Sequence, residues 1–148
     1  MRRQFMMRRQ FIEKIAYKKF KQYGLTGWKF EFDYAKSRLG RCSYRKKIVS
    51  MSKEFVKNNN LNHIYNVLKH EIAHARVGRS LGHRHPTYVN MCRAMGCHAG
   101  ANYDKEIKLV ERAFIGVCPK CKREWRRHRR QLGGYCVKCD RTIKWSRV

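Results

Sequence analysis

One short stretch in the middle of the chain, residues 70–74, reads His-Glu-Ile-Ala-His and constrains the fold more than any other part of the sequence. Two histidines four residues apart lie on one face of an α-helix, so His70 and His74 can share a metal ion if this segment is helical. Glu71 is then placed to act as a general base on water at that metal. The pattern predicts a catalytic zinc site and is typical of metalloproteases, and the alternative is a buried helix with two histidines of no chemical role.

A catalytic zinc ion usually has three protein ligands and one open position, so a third ligand is expected further along the chain. The metzincin pattern would need Gly at position 77 and His at position 80, and neither is present. A thermolysin-like glutamate is excluded too, because the segment 75–103 contains no Asp or Glu. Pro86 predicts the first turn of a new helix, with His85 at its start. We therefore favour His85 as the third ligand, with His83 as the alternative.

Four cysteines near the C-terminus form two Cys-x-x-Cys pairs separated by fourteen residues. This spacing is close to that of four-cysteine zinc sites, in which each pair bends so that two thiolates face one ion. A site whose four ligands all come from the protein has no open position for a substrate, so we expect a structural role. The alternative is two unrelated pairs of thiols. The predicted ligands of this structural zinc ion are Cys118, Cys121, Cys136 and Cys139.

Three of the seven cysteines, Cys42, Cys92 and Cys97, are left over and are expected to be small buried residues. An odd unpaired remainder favours a reducing compartment, so we predict an intracellular protein, cytoplasmic or associated with the nucleoid. The N-terminal segment lacks the apolar core of a signal peptide, and no stretch of the sequence is apolar enough to span a bilayer. We expect a monomer that does not bind membranes.

The chain is strongly basic, with 36 Lys and Arg against 10 Asp and Glu and a formal net charge of +26. This charge far exceeds what solubility requires and predicts a polyanionic partner. The densest basic run lies between the two cysteine pairs, where only Glu124 opposes it. Trp125, Tyr135 and Trp145 could stack on unpaired bases or, alternatively, pack inside the small domain. The residues predicted to contact DNA are Arg123, Trp125, Arg126, Arg127, Arg129, Arg130, Lys138 and Lys144.

Hydrophobic periodicity predicts one compact domain followed by a small metal-bound one. A chain of 148 residues can bury one core beside a zinc-bound segment of about thirty residues, but not two ordinary cores. The predicted elements are a helix ending at Gly24, strands at 28–34, 40–44 and 47–51, a short helix opening at Ser52, a metal-binding helix between residues 58–60 and Gly78, and a helix at 86–95.

These segments resemble the SprT-like, or Spartan-like, family of zinc metalloproteases with a C-terminal zinc ribbon. The resemblance runs through most of the chain and includes the metal-binding motif, the strand pair before it and the paired cysteines. The segments that carry it are 24–28, 39–44, 48–52, 68–74, 82–85, 117–121, 126–130 and 135–139.

The resemblance implies an α+β fold, namely a minimal zincin-like metalloprotease domain with helices packed on a small antiparallel sheet, followed by a small β zinc ribbon. We place the first domain at residues 1–113 and the ribbon at 114–148. The resemblance also implies zinc-dependent peptide hydrolysis and, for the better known members, cleavage of proteins attached to DNA. The expected partners are DNA and protein substrates on DNA. The alternatives are a DNA-binding regulator with an idle protease-like domain and a metallohydrolase that acts on a substrate other than protein.

Overall fold

The computed structural model describes residues 2–78, 81–100 and 106–148. The chain divides into two compact units, Met1–Leu109 and Val110–Val148. This division falls four residues before the boundary that we placed after residue 113 from the sequence. Among the described residues, no helix is long and apolar enough to cross a lipid bilayer.

Helices and strands of the first unit lie where the sequence pattern predicted them. The short helix α2, for example, begins directly after Ser52, whose side-chain oxygen accepts a hydrogen bond from the backbone N–H of Phe55. In chain order the elements are α1 (Arg2–Gln22), β1 (Lys29–Asp33), β2 (Gly40–Ser43), β3 (Ile48–Ser52), α2 (Lys53–Asn58), α3 (Leu61–Val77) and α4 (Pro86–Met95).

The three strands of the first unit form one sheet in the order β1-β3-β2. β2 and β3 are antiparallel, with Cys42 opposite Val49. β1 runs parallel to β3, with Phe30 opposite Val49 on the other side. The predicted α+β class is confirmed. The sheet is not antiparallel throughout, contrary to what we expected: β2 and β3 form an antiparallel pair, whereas β1, on the other side of β3, runs parallel to it. β2 is therefore an edge strand, and it packs against α3.

The helix α3 carries the metal-binding motif and has a fixed orientation in the core. Its first turn is capped by Asn60, whose side-chain oxygen accepts the N–H of His63 at 2.9 Å. Its apolar face consists of Ile64, Leu68 and Ile72, which are spaced four residues apart and are fully buried. Rotation of α3 about its axis would expose this apolar face to water, so burial of the face sets the orientation of the histidine motif.

The second unit is a small β structure built from a three-stranded antiparallel sheet, β5-β4-β8, and a two-stranded pair of β6 and β7. Gly116 in the central strand leaves space for the indole of Trp145, because a Cβ at this glycine would come within 2.8 Å of the ring. The indole N–H of Trp145 donates to the carbonyl oxygen of Gly133 at 2.8 Å. Of the two interpretations of Trp145, packing is thus the one that the contacts favour. The strands are β4 (Phe114–Val117), β5 (Glu124–Arg127), β6 (Tyr135–Cys136), β7 (Arg141–Thr142) and β8 (Lys144–Arg147).

Candidate metal centres and active site

Three histidine side chains of the first unit meet at one point. His70 and His74 come from successive turns of α3, and His83 comes from the segment that precedes α4. The Nε2 atom of His83 lies 3.1 Å from Nε2 of His70 and 3.0 Å from Nε2 of His74. Nitrogen ligands of one tetrahedral zinc ion, each about 2 Å from the metal, lie about 3.3 Å from one another, so these distances fit a single ion.

The proton positions on these rings also fit a bound cation. Nδ1 of His70 lies 2.8 Å from the carbonyl oxygen of His98. Because a carbonyl oxygen only accepts, Nδ1 of a neutral His70 carries the proton and Nε2 presents a lone pair. Nε2 of His83 has at most one hydrogen and so cannot donate a linear hydrogen bond to both of its close neighbours. A zinc ion at the meeting point would satisfy all three nitrogens.

Burial favours the metal-binding, neutral form of the His70 and His74 rings. Burial, followed by the neighbouring His70 and His83, lowers the pKa of His74 to about 4. Burial also lowers the pKa of His70, and the hydrogen bond to the His98 carbonyl partly opposes this shift. Neutral imidazole is the metal-binding form, so these two rings need lose no proton near neutral pH to bind an ion.

His85, the third ligand that we favoured from the sequence, lies outside this cluster. It is the N-cap residue of α4, and its Nδ1 accepts a hydrogen bond from the backbone N–H of Thr87 at 3.3 Å. The structure therefore corrects the third histidine to His83, the alternative. The physical reason is local: a side chain that caps its own helix is directed back at the first turn and is not available to α3.

Tyr88, for which we predicted no role from the sequence, contacts all three rings of the cluster. It is fully buried, and its ring stacks on His74 with centroids 4.2 Å apart and an interplanar angle of 18°. Its hydroxyl donates to the carbonyl oxygen of His70 at 3.3 Å. Tyr88 thus packs against the three histidine rings and restricts their orientation. The signal for it in the sequence was an aromatic residue on the first turn after the predicted third ligand.

The side chain of the candidate general base, Glu71, extends from α3 to the edge strand β2. A Cβ on Gly40 would come within 2.9 Å of Cγ of Glu71, so the glycine leaves the space that this side chain occupies. Burial raises the pKa of Glu71 to about 7, against the opposing effect of Arg38. Burial and a hydrogen bond with Cys92 raise the pKa of Tyr88, and the charge of Glu71 contributes a smaller increase. Glu71 follows His70 directly in α3, and its side chain is held against Gly40 of β2.

In the second unit the four predicted cysteine ligands lie close together. The four cysteine sulfurs lie within 4.8 Å of one another. Each Cys-x-x-Cys pair is followed by a residue with positive φ, namely Lys122 at 62° and Asp140 at 49°. The N–H of each of these residues donates to the carbonyl oxygen of the first cysteine of its pair, at 3.0 and 2.7 Å. The same tight turn thus occurs twice and directs both pairs at one point, which fits a tetrahedral zinc ion. The sulfurs belong to Cys118, Cys121, Cys136 and Cys139.

The residues predicted to contact DNA are exposed, except for the half-buried Trp125, but they do not share one face. The pairing of β5 with β4 places Trp125 and Arg127 on one face of the sheet and Arg126 on the other. Arg147 was not predicted, yet it lies on the same face as Arg127, because Phe114 pairs with both residues. The alternation of the last strand, Lys-Trp-Ser-Arg, was the signal for it.

Residues 8–108 match the model of the SprT-like family. No curated protein and no solved structure matches the chain. The matched segment is more than half of the chain, and it contains the whole sheet of the first unit and all three histidines of the cluster. Together with the site geometry, the match indicates a zinc-metalloprotease-like domain. The chain belongs to the SprT-like family.

Proposed function

We propose that the first unit is a zinc-dependent peptidase that hydrolyses peptide bonds in proteins. The observation that carries the proposal is the convergence of three imidazole Nε2 atoms, one of them from His70, whose neighbour in the chain is the partly buried Glu71. Three histidine ligands leave an open position at a tetrahedral ion, as catalytic zinc sites do. A structural site would instead be closed by a fourth protein ligand, as in the cysteine cluster of the second unit.

The residues of this chain then have distinct roles. A zinc ion held by the three histidines would supply a Lewis acid that activates water and polarises a peptide carbonyl. Glu71 takes the proton from the attacking water and returns it to the departing amine, so that one carboxylate acts first as general base and then as general acid. Gly40 leaves Glu71 room to adopt its position, and Tyr88 holds the histidine rings.

Cleavage of an unfolded protein such as casein tests this proposal. The zinc-loaded protein should cleave it, a chelator that removes zinc should stop cleavage, and added zinc should restore it. A protein that binds zinc at both sites, binds DNA and never cleaves peptide bonds would contradict the proposal. That result would favour the alternative, a regulator with an idle protease-like domain.

Substitution of Gly40 with Ala should reduce cleavage without removing zinc. The new methyl group would lie 2.9 Å from Cγ of Glu71 and 3.2 Å from Cγ1 of Val67, so the glutamate must move. A displacement of about 1 Å at a catalytic group can reduce the rate about a hundredfold, so we expect a fall in kcat of about ten- to a hundredfold.

The matched control for this prediction is Gly82→Ala, because no atom of the described residues lies within 4 Å of a Cβ added at Gly82. Steady-state cleavage of the same substrate and metal analysis of both variants provide the measurement. Unchanged kcat in Gly40→Ala, or a loss of zinc that accounts for its whole effect, would contradict the positioning of Glu71 by β2.

We also propose that the second unit brings the peptidase to DNA, so that proteins bound or crosslinked to DNA are its substrates. Support comes from the net charge of +26 and from the exposed arginines of the second unit. The face that carries Trp125 is the better candidate surface, because the guanidinium of Arg123 lies 5.4 Å from its ring and Arg127 and Arg147 flank Phe114 there. Arginines paired with aromatic faces are typical of surfaces that bind single strands. A protein crosslinked to an oligonucleotide should therefore be cleaved faster than the same protein free.

Salt dependence of DNA binding tests this surface. The double variant Arg127→Ser/Arg147→Ser should bind DNA more weakly, and its slope of log K against log salt should be shallower by about 2, one for each lost phosphate contact. The control Arg126→Ser/Lys144→Ser removes the same charge from the opposite face. Equal slopes for the parent and both variants would contradict recruitment by this unit, and a change in the control alone would reassign the surface to the other face.

A further inference from the structure

The ring of His70 is held through a short chain of contacts that begins one helical turn earlier, at Asn66. The side-chain oxygen of Asn66 accepts the backbone N–H of His98 at 2.9 Å. The carbonyl oxygen of the same residue, His98, accepts the Nδ1 proton of His70 at 2.8 Å. Asn66 and His70 are four residues apart and lie on one face of α3, so a single residue of the following loop connects both side chains.

The loop that supplies these backbone groups is attached to α3 at a second point as well. Lys69 donates from Nζ to the carbonyl oxygen of Gly96 at 3.0 Å. Gly96 ends α4 in the left-handed region with φ of 72°, and the N–H of Cys97 donates to the carbonyl oxygen of Cys92 at 2.9 Å. The turn after α4 therefore lies against α3. Within this turn, Asn66 holds His98, the residue whose carbonyl oxygen contacts His70.

We propose that Asn66 is a positioning residue for the metal site, acting through the main chain of His98 on the ring of His70. The bond to the His98 carbonyl decides which nitrogen of His70 carries the proton and how the ring is turned. Without an acceptor at position 66, the N–H of His98 loses its partner, and the carbonyl on the other side of the same residue is free to shift. His70 would then sample other ring orientations, of which few direct Nε2 at the zinc position.

This inference rests on the zinc site of the proposed function, and its test uses zinc affinity rather than activity. Loss of a group that orients a metal-ligating histidine typically weakens metal binding about 10- to 100-fold. We expect Asn66→Leu to weaken zinc binding at the histidine site by this amount. Asn66→Asp keeps an acceptor oxygen for the His98 N–H and should bind zinc within a few-fold of the parent.

Two further variants serve as controls. His98→Ala retains the backbone N–H and carbonyl that form the connection, so it should bind zinc as the parent does. Asn62→Leu places the same new side chain one turn earlier on α3. Asn62 lines the same cleft as Asn66 and His98 but makes no side-chain hydrogen bond to the described residues there, so this variant should have no effect. The cysteine site of the second unit provides a reference within each molecule, because its affinity should be the same in all variants.

Competition of the full chain with a zinc chelator measures both affinities, and cobalt substitution distinguishes the sites, because four thiolates and three imidazoles give different absorption spectra. Reduced affinity confined to the histidine site of Asn66→Leu, with rescue in Asn66→Asp, supports the proposal. Equal affinities in Asn66→Leu and the parent overturn it, as does an equal loss in Asn66→Asp. A parent that binds zinc only at the cysteines overturns the proposed function itself, which is a different result.

Discussion

Substitution of His83 with Ala is expected to reduce the zinc content of the protein from two ions per chain to one. Nε2 of His83 lies within 3.1 Å of the corresponding atoms of both His70 and His74, so its removal leaves only two ligands. Two imidazoles are too few for a stable zinc site of the usual tetrahedral kind. Metal analysis after dialysis against a weak chelator measures the effect, since the four cysteines should retain their ion.

The matched control is His85→Ala, two residues away, which should retain two zinc ions. Loss of this N-cap is expected to destabilise the protein by about 0.5–2 kcal/mol, which thermal unfolding would detect, without an effect on metal content. One zinc ion in His85→Ala and two in His83→Ala would reverse the assignment of the third ligand.

Substitution of Glu71 with Gln is expected to abolish protein cleavage while both zinc ions remain bound. The amide has nearly the same shape as the carboxylate and fits beside Gly40, but it cannot take a proton from water. General-base catalysis typically contributes about 10²–10⁴-fold, so the rate should fall by at least this factor. Steady-state cleavage of casein by the parent and the variant, at equal zinc content, measures the loss.

Because Gln is uncharged, Glu71→Gln should lose catalytic activity without a loss of folding stability. Burial raises the pKa of Glu71, which means that the carboxylate is disfavoured in the folded protein and that its replacement should not destabilise the fold. Cleavage by Glu71→Gln at a rate close to that of the parent would remove Glu71 from the mechanism, whatever the metal content.

The elements of the fold could be predicted because local signals agreed with the final packing. The apolar residues of α3 recur at a spacing of four and lie fully buried, and Asn60 and Gly78 mark its ends as expected. The parallel pairing of β1 with β3 could not be predicted in the same way. Strand order depends on which strands form hydrogen bonds with each other over long distances in the chain. The alternation of apolar and polar residues shows which face of a strand is buried, but not which strand lies next to it.

The candidate site shows the same division between local and long-range information. The spacing of His70 and His74 is a property of one helix, so their convergence could be predicted from five residues. The third histidine of the cluster comes from another segment, and Pro86 identified the helix start without showing that His85 would be used to cap it. The roles of Tyr88, Gly40 and Asn66 depend on contacts between elements. Only Tyr88 had a local signal, its place on the first turn after the predicted third ligand, and nothing in the local sequence distinguishes Gly40 or Asn66 from ordinary residues.

The most direct test is a crystal structure with anomalous diffraction recorded at the zinc edge. We expect two zinc peaks per chain, one among the four cysteine sulfurs and one about 2.0–2.1 Å from Nε2 of His70, His74 and His83. A peak bound by His85, or no peak at the histidines of a protein that cleaves its substrate, would contradict the central claim that three imidazoles hold the catalytic metal.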